Sequence, residues 1–408
     1  MRNKYKKMER NLYRSLLNHL DKKEYTIIVG ARQTGKSTLM RQLEEHCKSE
    51  QLPFVFLNLE NKNILTELDK SPLNILAYLP VVEDRVVVFI DEVQYLQDPS
   101  NFLKLIYDEY VEKIKIVATG SSAFYLDNTF KDPLAGRKRI FCLRTCGFDE
   151  YLQLKGLDDL WEELLRLRLN SEAKSVYLDI LRQEWESYML YGGYPAVITE
   201  PDNKEKIARL AELRDSYIKR DILEAGVQNE TAFYHLFRIL AAQSGNLLNT
   251  NDLAVSLRIK HETVTNYLDI LQKCFHIVLL KPFYRNLKKE LIKMPKVFLM
   301  DTGMLNSLLS NFQPFALRAD KGMIWETLYC KLLSEKWDTD ELFFWRTADG
   351  NEVDFVLPYI GNPFAVEVKF DKTSIRKSKY KKFIETYPDI PLSFCWLQPF
   401  EEKFLSQL

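Results

Sequence analysis

The hydrophobic positions of this 408-residue chain change period along its length. Near the N-terminus, Leu12, Leu16, Leu17 and Leu20 recur at helical spacing and predict a helix over 8–20. Tyr25–Val29 is then a continuous, mostly β-branched run, which predicts a buried strand, and Leu39, Met40 and Leu43 give the next helix its apolar stripe. Short apolar runs at 53–57, 85–90 and 114–118 predict further strands, 68–79 reads as a helix, and 139–143 reads as another strand. Strands alternating with helices in this way predict an α/β fold with a parallel sheet.

From 148 to 225 the pattern is long, amphipathic and helical, with stripes over 161–169 and 173–190, broken by Tyr191-Gly192-Gly193-Tyr194-Pro195. Between 231 and 300 come a helix at 233–243, a capped helix at 249–257, a second at 261–271, a strand at 277–280, a polar turn holding Lys288 and Lys289, and a strand at 296–300. Helix, turn, helix and hairpin make a winged-helix pattern. Its candidate DNA contacts are Lys260, Thr263, Thr265 and Asn266. Glu262 and Asp269 lie on the same helix and no basic stripe runs along it, so an interdomain or protein-binding role stays open beside DNA reading. The last unit alternates a helix around 322–328 with strands at 342–346, 352–357 and 364–369. The boundaries expected from these changes are 1–147 for the first α/β unit, 148–230 for a helical lid or linker, 231–310 for the winged helix and 311–408 for an α/β end.

Composition narrows the class. Hydrophobic residues at 46% and charged residues at 28% describe a folded globular protein. With 57 basic and 57 acidic residues the formal charge is zero, so a nucleic-acid surface has to be local. The basic N-terminus is not followed by an apolar core, and no window has the length of a membrane span. The six cysteines are scattered, and Cys142 and Cys146 have no second pair to complete a zinc site. Reduced thiols and a cytoplasmic location are expected.

Two stretches carry chemistry. The first runs Gly30-Ala31-Arg32-Gln33-Thr34-Gly35-Lys36-Ser37-Thr38 between a predicted strand and a predicted helix, at the spacing G-x-x-x-x-G-K-[ST]. Glycines permit a turn whose backbone N–H groups point at phosphate, and the helix N-terminus adds its dipole. Lys36 is expected on the β/γ-phosphates and Ser37 on Mg²⁺. The run at 85–90 ends in Asp91 and Glu92, placing Asp91 on the metal and Glu92 on the attacking water. Thr119 and Ser121 end the following strand, either as sensors of the γ-phosphate or as an ordinary Ser/Gly turn.

The second stretch is C-terminal. Period-two alternation puts Glu367 and Lys369 on one strand face, and a hairpin brings Asp354 alongside. Asp plus Glu-x-Lys is a metal-nuclease constellation, with the carboxylates on Mg²⁺ and the lysine at the water or leaving group, and Glu326 can complete the set. The basic tract Lys372, Arg376, Lys377, Lys379, Lys381 and Lys382 follows it and suits a phosphate backbone.

The motifs Gly30-Ala-Arg-Gln-Thr-Gly-Lys-Ser37, Phe89-Ile-Asp-Glu-Val-Gln94, Thr119-Gly-Ser-Ser122 and Leu134-Ala-Gly-Arg137 together resemble prokaryotic P-loop ATPases on the AAA/STAND side of the superfamily. Gly192-Gly-Tyr-Pro195 and Tyr217-Ile-Lys-Arg-Asp221 belong to the same resemblance, and the C-terminal unit resembles the restriction-endonuclease-like domain of unknown function found in such ATPases. The resemblance implies a phosphate contact from Arg137 in the same or a neighbouring subunit, a structural role for Arg32, and a second-sensor candidate in Arg220. It also implies ATP or ADP with Mg²⁺ as cofactors, double-stranded DNA or a protein as partner, and a homo-oligomer; no membrane partner is expected. The expected function is an ATPase whose nucleotide state controls the winged-helix and nuclease-like module on DNA. The alternative is a nucleotide-dependent interaction switch with a silent nuclease-like docking domain.

Overall fold

The computed structural model describes residues 8–120, 134–170, 172–284, 294–358 and 363–405, and of 217, 218 and 220–224 the backbone alone. Ser121, the Lys288–Lys289 turn and the side chain of Arg220 therefore lie outside the described residues. The chain divides into two compact units, Met1–Thr145 with Lys273–Phe275, and Cys146–Gln272 with His276–Leu408.

The first unit is built on five strands, β1 (Tyr25–Val29), β2 (Phe54–Asn58), β3 (Val86–Asp91), β4 (Ile114–Gly120) and β5 (Lys138–Cys142), in the order β2-β3-β4-β1-β5. Every neighbouring pair is parallel. Side chains alternate between the two faces, and both faces are covered, which is why the strands read as unbroken apolar runs. Tyr25, Ile27 and Val29 of β1 pack with Val88, Ile90, Ile116 and the helix residues Phe102, Leu103 and Ile106. Ile28, Phe89 and Val117 face the other way, against Leu16 and Leu20 of one helix and Leu39, Met40 and Leu43 of another. The helix expected over 68–79 is instead a helix at Lys62–Lys70 followed by a 3₁₀ turn at Pro72–Tyr78. Pro72 lacks the N–H to continue the helix and holds Ser71 extended, at φ −157° and ψ 127°.

The second unit begins with helices at Phe148–Leu154, Asp158–Leu169, Leu178–Tyr191 and Asn203–Glu224. Its sheet joins β6 (Ile277–Pro282), β7 (Lys296–Leu299), β8 (Phe343–Arg346), β9 (Glu352–Leu357), β10 (Phe364–Asp371) and β11 (Leu392–Gln398), in the order β11-β10-β9-β8-β6-β7. The hairpin expected of the winged-helix segment and the strands expected of the C-terminal end thus share one mixed sheet, through the parallel pairing of β6 with β8. β11, which pairs in parallel with β10, has no counterpart in the sequence reading.

The Gly192-Gly193 break has a specific structural use. Helix Leu178–Tyr191 ends with Gly192 at φ 75° and ψ −166°, a region almost confined to glycine. The buried carboxylate of Asp301 accepts the Gly193 N–H at 2.9 Å and the Met304 N–H at 3.0 Å, tying this break to the start of helix Thr302–Leu309. Asn306 of that helix donates to the carbonyl oxygen of Leu190 at 2.8 Å.

Candidate functional site

The loop after β1 starts from a backbone constraint. Gly30 has φ 150°, and a Cβ there would overlap the carbonyl oxygen of Leu143, whose own N–H donates to Val29 at 2.7 Å. Gly35, at φ 98°, ends the loop immediately before helix Lys36–Ser49. Between them the loop is held by its own groups: Thr34 Oγ1 donates to the Ala31 carbonyl at 2.8 Å, and Gln33 takes a left-handed φ of 56°. Lys36 is only 6% exposed, and its Nζ donates to the carbonyls of Gly30 and Ala31, both at 2.9 Å. Arg32 is half-buried, whereas Ser37 and Thr38 are exposed at the start of the helix.

The ends of β3 and β4 complete this arrangement. Ser37 Oγ donates to Asp91 Oδ1 at 3.3 Å, and Thr119 Oγ1 donates to the same oxygen at 2.5 Å. The Thr119 hydroxyl also accepts the backbone N–H of Glu92 at 2.9 Å, so it fixes both acids at once. Glu92 sits in left-handed backbone at φ 60°, with its carboxylate hydrogen-bonded by Gln94 Nε2. A hydroxyl and a carboxylate meeting at the first turn of a helix form a donor set suited to a phosphate-bound Mg²⁺. Arg10 escaped the sequence reading. Its buried guanidinium donates to the loop carbonyl of Thr34 at 2.6 Å and to Arg144 O at 2.7 Å. Nothing local to Arg10 signals that role, because the contacts span 24 and 134 residues.

Arg137 lies elsewhere. Its carbonyl accepts the N–H of Tyr25, the first residue of β1, and its guanidinium pairs with Asp108 at 2.8 Å. The phosphate loop follows the last residue of β1, about 15 Å away along five strand residues. The same-subunit alternative for Arg137 is therefore corrected: this side chain points from the opposite end of the sheet.

In the second unit, the structure brings Glu326, Asp354, Glu367 and Lys369 together. Asp354 Oδ2 accepts the Val368 N–H at 2.9 Å and lies 3.5 Å from Lys369 Nζ. Glu367 accepts from Asp354 N at 3.2 Å, from Tyr380 OH at 2.8 Å and from Lys369. A further cation stands in the cluster: Lys296 Nζ is 3.0 Å from Glu326, 2.5 Å from Glu352 and 3.7 Å from Asp354. Arg346 holds the other oxygen of Glu352 at 2.7 Å. Among the described residues, no group of three or more His, Cys, Asp or Glu side chains is arranged to hold a metal ion. Of the metal set expected from Glu326, Asp354 and Glu367, the first two face the Lys296 ammonium, while Glu367 is held by Lys369 and Tyr380. Glu352 was legible, two residues before Asp354 on the same strand face; Lys296 was not, because it reaches the cluster through the pairing of β6 with β8.

Carboxylates outnumber cations here, with Glu326, Glu352, Asp354 and Glu367 against Lys296, Lys369 and Arg346. Burial, then the Asp354 charge, pushes the Glu326 carboxyl up to about 8 and the Glu367 carboxyl up to about 7. Burial works against the Lys296 ammonium, but Glu326, Asp354 and Glu352 outweigh it and raise its pKa. Both carboxyls bind a proton more tightly in the folded than in the unfolded chain. Their contribution to stability is therefore full below about pH 4.5 and is lost as pH rises through 7 to 8. Thermal denaturation between pH 5.5 and 9 is expected to show a falling Tm, and Glu326→Gln should flatten that slope.

Residues 22–152 match the family model described as AAA domain. The first unit has the parallel sheet of a P-loop ATPase core, and over these residues it is similar to AAA domains. Residues 182–314 and 321–399 match two further models, each described as a domain of unknown function (DUF8612 and DUF4143). Similar chains include an uncharacterized protein of Mycobacterium tuberculosis, 26% identical over 88% of this chain and 73% of that protein. Another, from Haemophilus influenzae, is 23% identical over 92% of each. Among solved structures, the Aeropyrum pernix ORC2 protein in its ADPNP–ADP complexes is 13% identical, covering 79% of this chain and 93% of that one at a TM-score of 0.38. The Thermotoga maritima RuvB Holliday junction branch migration motor is 16% identical over 66% and 88%, at a TM-score of 0.29. The segment that matches the AAA model contains the loop, Asp91, Glu92 and Thr119.

Proposed function

We propose that the AAA-type unit binds ATP with Mg²⁺ and hydrolyses it, and that the second unit engages a partner according to nucleotide state. The observation that carries this reading is the meeting of Ser37, Asp91 and Thr119 beside a loop whose lysine is already folded into it. Mg²⁺ would be held by Ser37 with Asp91 behind it, and would neutralise charge on the phosphates. Lys36 exchanges its two carbonyl partners for phosphate oxygens, which are stronger acceptors for an ammonium. Glu92 orients water and takes its proton; rotation away from Gln94 frees its carboxylate for that task. Arg10 keeps the Thr34 carbonyl turned outward, leaving the loop N–H groups to the phosphates. Arg137 is proposed to serve the nucleotide of a neighbouring copy, which makes a homo-oligomer the working form.

Double-stranded DNA is the partner proposed for the second unit, bound rather than cut. Support comes from helices Thr250–Leu257 and His261–Lys273 followed by the β6–β7 hairpin, with Lys260, Thr265 and Asn266 exposed. Lys296 among the carboxylates supports the absence of cutting. Glu92→Gln is expected to retain ATP affinity while hydrolysis falls by roughly 10²–10⁴-fold, read as phosphate release beside equilibrium binding. Plasmid and linear DNA incubated with Mg²⁺ or Mn²⁺, with ATP, ADP or neither, should show nucleotide-dependent retardation and no cleavage. Cutting that disappears in both Asp354→Ala and Lys369→Ala would overturn the silent reading. Absent retardation in every nucleotide state would move the partner from DNA to protein, and equal retardation would uncouple DNA binding from the nucleotide.

A further inference from the structure

The carboxylates of the second unit surround a cation that belongs to the chain. Lys296 opens β7 and its side chain is 2% exposed. Glu326, Glu352 and Asp354 each direct one oxygen at its Nζ, at 3.0, 2.5 and 3.7 Å. Three carboxylates converging on one buried ammonium leave its charge compensated within the chain. The other oxygens of two of these acids are already used: Glu352 by Arg346, and Asp354 by the Val368 N–H and Lys369.

Lys296 is also fixed from its backbone. It pairs with Leu280 across the hairpin, and the next residue, Val297, accepts from Gly245 N at 2.7 Å and donates to Asn246 O at 3.1 Å. The Gly245 backbone in turn lies against the Glu326 carboxylate, where a Cβ would stand 3.3 Å from Oε2. So Lys296 and Glu326 are both positioned beside the Gly245–Asn246 backbone. Two cations cannot share the space, because like charges at such separations in a buried site repel strongly.

We infer that Lys296 is the resident cation of Glu326, Glu352 and Asp354, and that it excludes a divalent metal from these three carboxylates. Removing its ammonium leaves buried carboxylates without their main counter-charge and uncovers a metal site formed by Glu326, Glu352 and Asp354. The inference rests on the silent reading of the second unit and is independent of the nucleotide reading of the first.

The test is titration of the nucleotide-free full chain with Mn²⁺, followed by loss of the free-ion paramagnetic resonance signal. Wild type, Asp354→Asn, Lys296→Met and the double variant are compared; Mn²⁺ held at Ser37 and Asp91 is common to all of them and cancels. Wild type and Asp354→Asn should bind alike. Lys296→Met should gain a site, at least about tenfold tighter than any the wild type has in this unit, and the double variant should lose it. Mn²⁺ should raise the Tm of Lys296→Met and leave that of the wild type's second unit unchanged. A wild-type site that Asp354→Asn abolishes overturns the inference, as does a folded Lys296→Met with no gain. If Lys296→Met does not fold, the comparison of wild type with Asp354→Asn still decides the exclusion.

Discussion

Lys36→Ala is expected to weaken nucleotide binding about a hundredfold or more. The ammonium is buried and already paired with two loop carbonyls at 2.9 Å, so it is held in place before phosphate arrives. Hydrogen bonds to charged groups contribute about 1.5–3 kcal/mol each, and losing the stronger value corresponds to roughly a hundredfold in Kd. Alanine also leaves the Gly30 and Ala31 carbonyls without this donor, which destabilises the loop shape itself. Titration with a fluorescent ATP analogue measures the loss, and circular dichroism checks that the fold survives. Unchanged affinity in a folded Lys36→Ala protein would remove the loop from the nucleotide site and with it the central functional reading.

Gly192→Ala unfolds the second unit at a lower temperature without touching the phosphate loop. The backbone there is at φ 75° and ψ −166°, where an L side chain is strained by about 1–3 kcal/mol. The added Cβ also meets Asp301 Oδ1 and the Gly303 N–H well inside van der Waals contact. Asp301 cannot retreat, because its two oxygens hold Gly193 N and Met304 N. A loss of roughly 3 kcal/mol or more is expected, which for a unit of this size lowers Tm by about 10 °C. Gly156→Ala is the control: φ is also positive, at 72°, but nothing lies within 4 Å of the added Cβ. It should cost about 1 kcal/mol. Equal effects at the two positions would show that the Asp301 contact contributes nothing.

The strands of the first unit and its phosphate loop were legible in the sequence. Its strands are buried on both faces, so each appears as a continuous apolar run, and the phosphate loop depends on neighbours a few residues apart. Local spacing therefore marks Gly30, Gly35, Lys36 and Ser37, although the close approach of Leu143 to Gly30 is a long-range contact. Asp91, Glu92 and Thr119 were legible because they end parallel strands, where polar side chains meet at one edge of the sheet. In the second unit, period-two alternation was enough to put Asp354, Glu367 and Lys369 together.

Tertiary structure decided what no spacing encodes. Arg137 was separated from its own loop by the direction of β5 beside β1, a fact of strand pairing rather than of the residues around it. Arg10 reached the loop, and Lys296 reached the carboxylates, across separations that leave no periodic trace. Lysine is the residue type whose role is hardest to read in this chain. Lys115, Lys296 and Lys331 all stand in strand or helix patterns that suit a solvated charge, and all are buried. Each is stable there only because the fold supplies acceptors: the Lys22 and Glu24 carbonyls for Lys115, Cys146 O for Lys331, and the acids around Lys296. A buried charge is set by what surrounds it in space, and that is why the identity of the cation in the C-terminal cluster waited on the structure while the acids around it did not.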